Sequence, residues 1–232
     1  CAPGDFCSRV EGNVAGLDCP TPGVNAGLGG GLYLDKVNAY VSQTLISDNC
    51  ARDAAAFFSW GPSTRIESTV FARNLIEESL YTDIVAAGSR VGDPEQTVIV
   101  RGTSFFDNRG RTADGGIVPT SLFSASSNAT TRFIGVASDS PLYLNGTGHA
   151  CLVTNAGASA YRNPGSNDFR PAANSLLVDA CPEATFAPTY SGIDLQPRCS
   201  DDPNYNRGGT CDIGAAEAPL DPFFAGFGND FE

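Results

Sequence analysis

Val41-Ser42-Gln43-Thr44-Leu45-Ile46-Ser47-Asp48-Asn49, Ile66-Glu67-Ser68-Thr69-Val70-Phe71-Ala72-Arg73-Asn74 and Val100-Arg101-Gly102-Thr103-Ser104-Phe105-Phe106-Asp107-Asn108 align without a gap. Each begins on a β-branched residue, carries Thr in fourth place and a large apolar residue in sixth, and ends on Asn. The Asn residues recur at intervals of 25 and 34 residues. One unit therefore runs near the shorter interval, and the longer one carries an insertion, expected around Gly88 to Pro94. A weaker fourth copy runs from Phe133 to Asp139 and lacks the Asn.

A unit this short cannot bury its own apolar face, so successive units must stack and share a core. The alternation within each unit is too brief for a helix and suits two short strands separated by a bend. The expected fold is all-β, a coil of parallel strands in which like residues lie over like residues. Val41, Ile66 and Val100 should enter one shared core column, and Ile46, Phe71 and Phe105 a second, with rungs about 4.8 Å apart. Thr44, Thr69 and Thr103 should form a hydroxyl ladder. Asn49, Asn74 and Asn108 should form an amide ladder at a turn, because Asn tolerates left-handed backbone and its amide can bond to its neighbours. Gly29-Gly30-Gly31 and Gly115-Gly116 each precede an apolar residue and fit tight corners at strand entry. The regular aspartate spacing of a calcium-binding nonapeptide repeat is absent.

Composition narrows the partners. The chain has 232 residues with 26 acidic and 14 basic side chains, a net charge of −12, and Lys36 is its single lysine. Nucleic acid and anionic membranes need a basic footprint, so neither is an expected partner. The 41% hydrophobic fraction supports a core and argues against disorder. No apolar run approaches the length of a membrane helix. There is no Met and the chain opens at Cys1, which implies a processed product or part of a longer precursor. Cys1 itself suits a disulfide or a lipidated terminus. Asn128-Ala129-Thr130 and Asn145-Gly146-Thr147 fit the N-glycosylation pattern, which matters in a secretory eukaryote.

The Gly-Gly-apolar and Phe-x-x-Asn elements, seen here as Gly115-Gly116-Ile117 and Phe105-Phe106-Asp107-Asn108, resemble the polymorphic outer-membrane-protein repeats of right-handed parallel β-helix surface proteins. The run Ser166-Asn167-Asp168-Phe169-Arg170, Asn174 to Ala180, Asp194-Leu195-Gln196-Pro197-Arg198 and Cys211-Asp212-Ile213-Gly214-Ala215-Ala216-Glu217 resembles the closing segment of choice-of-anchor Q domain proteins. Leu176, Cys181, Pro197 and Ala216 depart from that pattern. The resemblance implies a right-handed solenoid ended by a loop-rich, disulfide-braced cap. Such a cap is needed because an open last rung exposes core and unpaired strand edges. The expected organisation is a disulfide-rich loop segment at 1–28, rungs at 29–162, a capping segment at 163–218 and a Phe-rich tail at 219–232. Asp179, Asp194, Arg198, Asp212 and Glu217 are expected to act as ion pairs and turn caps rather than as a catalytic cluster. Phe223, Phe224, Phe227 and Phe231 would be an apolar liability if exposed, so the tail should dock in a groove or on another subunit.

Recognised chemistry is sparse. His149 is the only imidazole, too few for a zinc site of several histidines, and no nucleophile elbow, phosphate loop or dinucleotide fingerprint is present. No cofactor is expected. Trp60 with Phe57 and Phe58 is read as core or cover, with a sugar-stacking platform as the alternative. The leading expectation is an exported, non-catalytic structural or adhesive β-helix, secreted or on the cell surface, whose partners are other subunits or cell-surface components. A carbohydrate-active enzyme, with polysaccharide as its partner, is the alternative. The eight cysteines have no CxxC spacing and imply an oxidising compartment. Bridging Cys199 to Cys211 would close the turn before Asp212, and Cys151 is expected to pair with Cys181. Cys1, Cys7, Cys19 and Cys50 pair among themselves in an order the spacing leaves open. The unreduced protein should take up no alkylating reagent by mass spectrometry; eight modified thiols would overturn both the pairing and the compartment.

Overall fold

The structure, a computed structural model, describes residues 8–15, 27–77, 83–88, 95–112, 114–119, 121–126, 128–142, 148–182, 192, 199 and 209–218. The chain winds as a parallel β-helix. The first turn holds β1 (Ser8–Glu11), β2 (Val14–Ala15) and β3 (Leu32–Asp35), and the second holds β4 (Ala39–Ser42), β5 (Thr44–Ser47), β6 (Cys50–Ala51) and β7 (Phe57–Trp60). The third has β8 (Ser63–Glu67), β9 (Val70–Ala72), β10 (Leu75–Glu77) and β11 (Asp83–Gly88). The fourth has β12 (Gln96–Phe106), β13 (Arg109–Arg111), β14 (Ile117–Pro119) and β15 (Ser121–Ala125), followed by β16 (Ala129–Ser138) and β17 (Ala150–Val153). Stacking produces an eight-stranded sheet (β1, β4, β5, β8, β9, β12, β16, β17), a five-stranded sheet (β2, β6, β10, β13, β14) and a four-stranded sheet (β3, β7, β11, β15). Within them the one antiparallel pair is β13 with β14. Outside them, β18 (Tyr161–Asn163) and β19 (Asp168–Pro171) form a separate antiparallel pair.

The eight-stranded sheet bends along its middle because each turn spends one residue there in the left-handed region: Gln43, Ser68, Gly102 and Gly135, with φ of 50°, 44°, 48° and 61°. The residue after each bend in three of these turns is the repeat Thr. Thr44, Thr69 and Thr103 lie over one another in register. Their hydroxyls do not bond along the column, however. Thr44 donates to Ser42 O at 2.8 Å, Thr69 to Glu67 O at 2.8 Å and Thr103 to Arg101 O at 3.0 Å, each clamping its own bend. The expected hydroxyl ladder is thus a stack of separate clamps.

The core lies inside the three sheets. Val41, Ile66, Val100 and Phe133 are paired in register and buried, as are Ile46, Phe71 and Phe105 in the neighbouring column. Phe71 and Phe105 stack with centroids 5.0 Å apart. The four-stranded sheet adds Leu32, Phe57, Val85 and Phe123 at one register position. Gly31 must be glycine where the chain enters β3, since a Cβ there would lie 2.4 Å from Ala56 O. Phe133 pairs with Val100, so the weak fourth copy is a true turn of the coil.

One expected boundary is corrected. The coil does not wait for residue 29: β1 pairs with β5 and β2 with β6, so residues 8–15 already belong to it. At the other end, Ala156, Ala160 and Tyr161 share one buried cluster with Leu45, Val70 and Ile134 of the rungs and with the C-terminal segment, so coil and cap meet there. Replacing Phe71 by Ala removes a fully buried ring between two occupied rungs and should cost about 3–5 kcal/mol in denaturant unfolding; a loss under 1 kcal/mol would show that the column is not packed.

Candidate functional site

The amide ladder is continuous over four turns. Asn74 Oδ1 accepts from Asn49 N at 3.1 Å and Asn49 Nδ2 at 3.0 Å, and Asn108 Oδ1 accepts from Asn74 N and Nδ2 at 3.0 and 2.9 Å. The second amide hydrogen of each residue goes to the backbone of the preceding turn: Asn49 to Val10 O, Asn74 to Ile46 O and Asn108 to Phe71 O. Asn13 is a member that the repeat alignment missed, since its N and Nδ2 both donate to Asn49 Oδ1 at 3.0 Å. Val10-Glu11-Gly12-Asn13 carries the signal, an apolar residue three places before Asn, as in Ile46, Phe71 and Phe105. The left-handed residue is not the Asn but the one before it: Gly12, Asp48, Arg73 and Asp107. Asn is selected for its amide rather than for its backbone. The side chains of Asn49, Asn74 and Asn108 are buried and fully engaged in the frame, whereas Asn13, at the first turn, is exposed.

The C-terminal segment covers one side of the coil. Expected as a lid over the last rung, its described part lies along the outer face of the second half of the bent sheet. Leu45, Val70 and Ala137 point outward there and, with Ile134 just before the bend of β16, pack with Tyr161, Phe169, Leu177, Ile213, Ala215 and Ala216. Phe106, Tyr161 and Phe169 form a ring cluster with centroids 5.7–5.8 Å apart. Gly214 N donates to Gly135 O at 2.9 Å and Ala215 N to Ser104 Oγ at 3.0 Å. Gly214 has φ 112°, and a Cβ on it would approach Ser104 Oγ to 2.7 Å, so only glycine allows this contact. Cys151 is bonded to Cys181, tying β17 to the cover, and Cys199 is bonded to Cys211 within it. Cys50 is also disulfide-bonded, to a partner outside the described residues.

The buried carboxylates of the cover act on backbone. Asp212 Oδ1 accepts from Asp179 N at 2.8 Å, Asp212 Oδ2 from Ala218 N, and Glu217 from Asp212 N at 3.3 Å. Asp194, Arg198, Cys1, Cys7, Cys19 and the tail residues Phe223, Phe224, Phe227 and Phe231 lie outside the described residues. His149 packs on Phe133, its Nδ1 accepting from Phe133 N at 3.2 Å. Among the described residues no three His, Cys, Asp or Glu side chains group as a metal site, and no helix is long and apolar enough to cross a membrane.

The first half of the bent sheet is open to solvent. One outward column consists of Asn38, Ser63, Thr97 and Thr130, and the next of Tyr40, Arg65, Ile99 and Arg132. Ser63 Oγ donates to Asn38 Oδ1 at 3.0 Å. Beside them Glu67 accepts from Tyr40 OH at 3.0 Å and Arg65 Nε at 2.6 Å, with Arg101 Nη1 at 3.6 Å. Tyr40 is 63% exposed, with the Arg65 guanidinium 5.9 Å from its ring centroid. Asn38, Ala39, Tyr40, Ser63 and Arg65 line a cavity of about 410 Å³. Around the corner Tyr33, Phe58 and Trp60 stack at 4.9 and 5.5 Å, whereas Phe57 points into the core. Tyr33 and Phe58 are register partners on adjacent strands with rings parallel to within 2°, so their faces meet each other along the coil. Phe58 offers no broad platform to a sugar.

No known protein family, curated protein or solved structure matches the chain.

One acidic group at the edge of the cover sets a pH dependence. In the turn after β16, Asp139 Oδ2 accepts from Asp107 N at 2.5 Å, where in earlier turns Asp48 N and Arg73 N donate to the backbone oxygens of Ala72 and Phe106. Burial pushes its carboxyl above the usual aspartate range despite that hydrogen bond, and the nearby Asp107 charge adds to the rise. Since the folded protein binds this proton more tightly than the unfolded chain, stability contributed by Asp139 falls as pH rises through its folded pKa. Asp48 and Asp168 oppose it: although burial raises them, the hydrogen bonds and charges of Arg73 and Arg170 hold each below its ordinary value. Their contributions are lost at lower pH, as pH falls through their folded pKa values. Asp139→Asn should therefore stabilise the protein at neutral pH, with a gain that shrinks toward pH ~4; denaturant unfolding at several pH values that shows a constant difference would refute this.

Proposed function

We propose that the chain is an exported, non-catalytic β-helix that serves as a structural or adhesive component of a cell surface or extracellular fibre. The observation that carries this reading is the employment of seven of its acidic groups. Glu67 is held by Arg65 and Arg101, Glu77 by Arg111, Asp48 by Arg73, Asp107 by Arg109, and Asp168 by Arg170, while Asp212 and Glu217 lock the cover. Paired carboxylates that act as acid and base need room for substrate between them and one proton to exchange. Carboxylates clamped by guanidinium or backbone instead fix a shape. Disulfides within the cover and between cover and coil support an oxidising compartment. The resemblance of residues 163–218 to choice-of-anchor Q domain proteins supports surface display, with other subunits or surface components as partners.

Antibody labelling of intact producing cells, or of their medium, should find the protein outside, with its disulfides oxidised. The purified chain should leave polysaccharides at their original length. Depolymerisation abolished by changing one acidic residue on the coil would overturn the non-catalytic reading.

A further inference from the structure

Two disulfides meet at one point of the cover. Cys181 and Cys211 stand opposite one another in an antiparallel bridge, with Cys181 N donating to Cys211 O and Cys211 N to Cys181 O, both at 3.0 Å. A doubly bonded pair of this kind sets its Cα atoms about 5.5 Å apart, with both side chains on the same face. That separation is itself the usual one for a disulfide. Yet each sulfur is bonded elsewhere, Cys181 to Cys151 on β17 and Cys211 to Cys199. The register is held on either side, where Gly209 N donates to Asp179 O at 3.0 Å and Ile213 N to Leu177 O at 2.9 Å. A Cβ on Gly209 would lie 2.5 Å from the Cys181 carbonyl carbon, so only glycine lets the two segments lie this close. The outer cysteines differ from the inner pair. Cys181 and Cys211 are fully buried, whereas Cys151 and Cys199 are half-buried. Cys151 and Cys199 also hold left-handed backbone, with φ of 55° and 69°, a conformation that is costly for a residue carrying a Cβ.

We propose that Cys151, Cys181, Cys199 and Cys211 form a thiol–disulfide exchange site, at which a small external thiol shifts the bonding to Cys181–Cys211 and frees Cys151 and Cys199. Exchange runs by attack of a thiolate on one sulfur of a disulfide, which expels the other. The external thiolate attacks a half-buried sulfur, Cys199 or Cys151, forms a mixed disulfide there and expels the buried partner, Cys211 or Cys181, as a thiolate. That thiolate attacks the buried sulfur facing it. The Cys181–Cys211 bond forms, and the outer sulfur of the second disulfide leaves as a thiolate and takes up a proton. A second external thiolate clears the mixed disulfide. Whichever bond is attacked first, the product is the same: Cys181 bonded to Cys211, Cys151 and Cys199 as thiols, and two external thiols oxidised to one disulfide. The cover then stays closed on itself and keeps its contacts with Gly135 and Ser104, while β17 loses its covalent tie to it.

The test exposes the folded, purified chain to increasing reduced glutathione at about pH 8, where part of an ordinary thiol pool is thiolate, then to iodoacetamide, and maps its peptides by mass spectrometry. The first partly reduced species of these residues should carry label on Cys151 and Cys199 and contain a peptide linked through Cys181 and Cys211. Label on Cys199 and Cys211 with Cys151–Cys181 intact, or on Cys151 and Cys181 with Cys199–Cys211 intact, would overturn the proposal. So would labelling of all four sulfurs at once, or persistence of both original bonds until the chain unfolds. Cys199→Ser and Cys151→Ser approach the same bond from opposite sides. Each variant should fold with Cys181 joined to Cys211 and one free thiol, Cys151 in the first and Cys199 in the second. Retention of Cys151–Cys181 in the first, or of Cys199–Cys211 in the second, would count equally against it. Hydrogen exchange reads the consequence: amides of Ala150–Val153 should lose protection after the bond shift, whereas that of Ala215 keeps its own. Unchanged protection of β17 would overturn its release.

Discussion

Each amide oxygen of the asparagine ladder serves two donors on the adjoining turn, and this obliges the chain to return to the same place every time it goes round. A buried amide that misses its partner costs about 1–3 kcal/mol per unsatisfied group, so slippage by one residue is expensive at every rung at once. Variation in turn length is therefore confined to places away from the ladder. Ala51 pairs with Ile76 and Phe57 with Val85, so residues 52–56 of one turn correspond to 77–84 of the next. Likewise Trp60 pairs with Gly88 and Thr64 with Val98, so residues 61–63 correspond to 89–97. The next turn places its extra length in the antiparallel β13–β14 excursion. The bent sheet that carries the Thr column, and the turn after it that carries the Asn column, receive none of it.

That sheet has two halves with opposite fates. In the second half, apolar side chains occur on both faces: Ile46 and Phe71 inward, Leu45 and Val70 outward. Burying an aliphatic side chain of this size contributes roughly 1.5–3 kcal/mol, so these outward positions demand a cover. The C-terminal segment supplies it and is fixed by Gly214, by Ser104 and by the Cys151–Cys181 bond. The first half alternates apolar inward with mostly polar or aromatic outward and stays open, apart from Ile134 beside the bend. One sheet thus provides a permanently occupied surface and a free one, separated by a single left-handed residue per turn.

Most of the frame could be read from the three aligned segments, because stacking imposes the same residue type at the same step. Val41, Ile66 and Val100 announce one column, and Ile46, Phe71 and Phe105 the other. What could not be read was which atoms within a column bond to which. Thr44, Thr69 and Thr103 share a column, yet each hydroxyl finds a carbonyl two residues back in its own strand, a local choice to which a pattern along the sequence is blind. Asn13 escaped notice because Ser8 stands in its turn where the others have Thr, although Val10 stood at the right distance. The side-on position of the cover was present in the sequence as Leu45-Ile46 and Val70-Phe71, adjacent apolar pairs that only a doubly buried strand requires. The open face was the least legible, since Asn38, Ser63, Thr97 and Thr130 are ordinary polar residues until the coil sets them in line.

The placement of the cover has a mechanical consequence. A pull applied through Ala218 reaches the coil first at Gly214 and Ala215, which are bonded to Gly135 on β16 and to Ser104 on β12. The Cys151–Cys181 bond joins β17 to the same segment covalently. Tension is thereby shared as shear over three neighbouring strands, and β17 is not unzipped one hydrogen bond at a time, as the last strand of an unbraced coil would be.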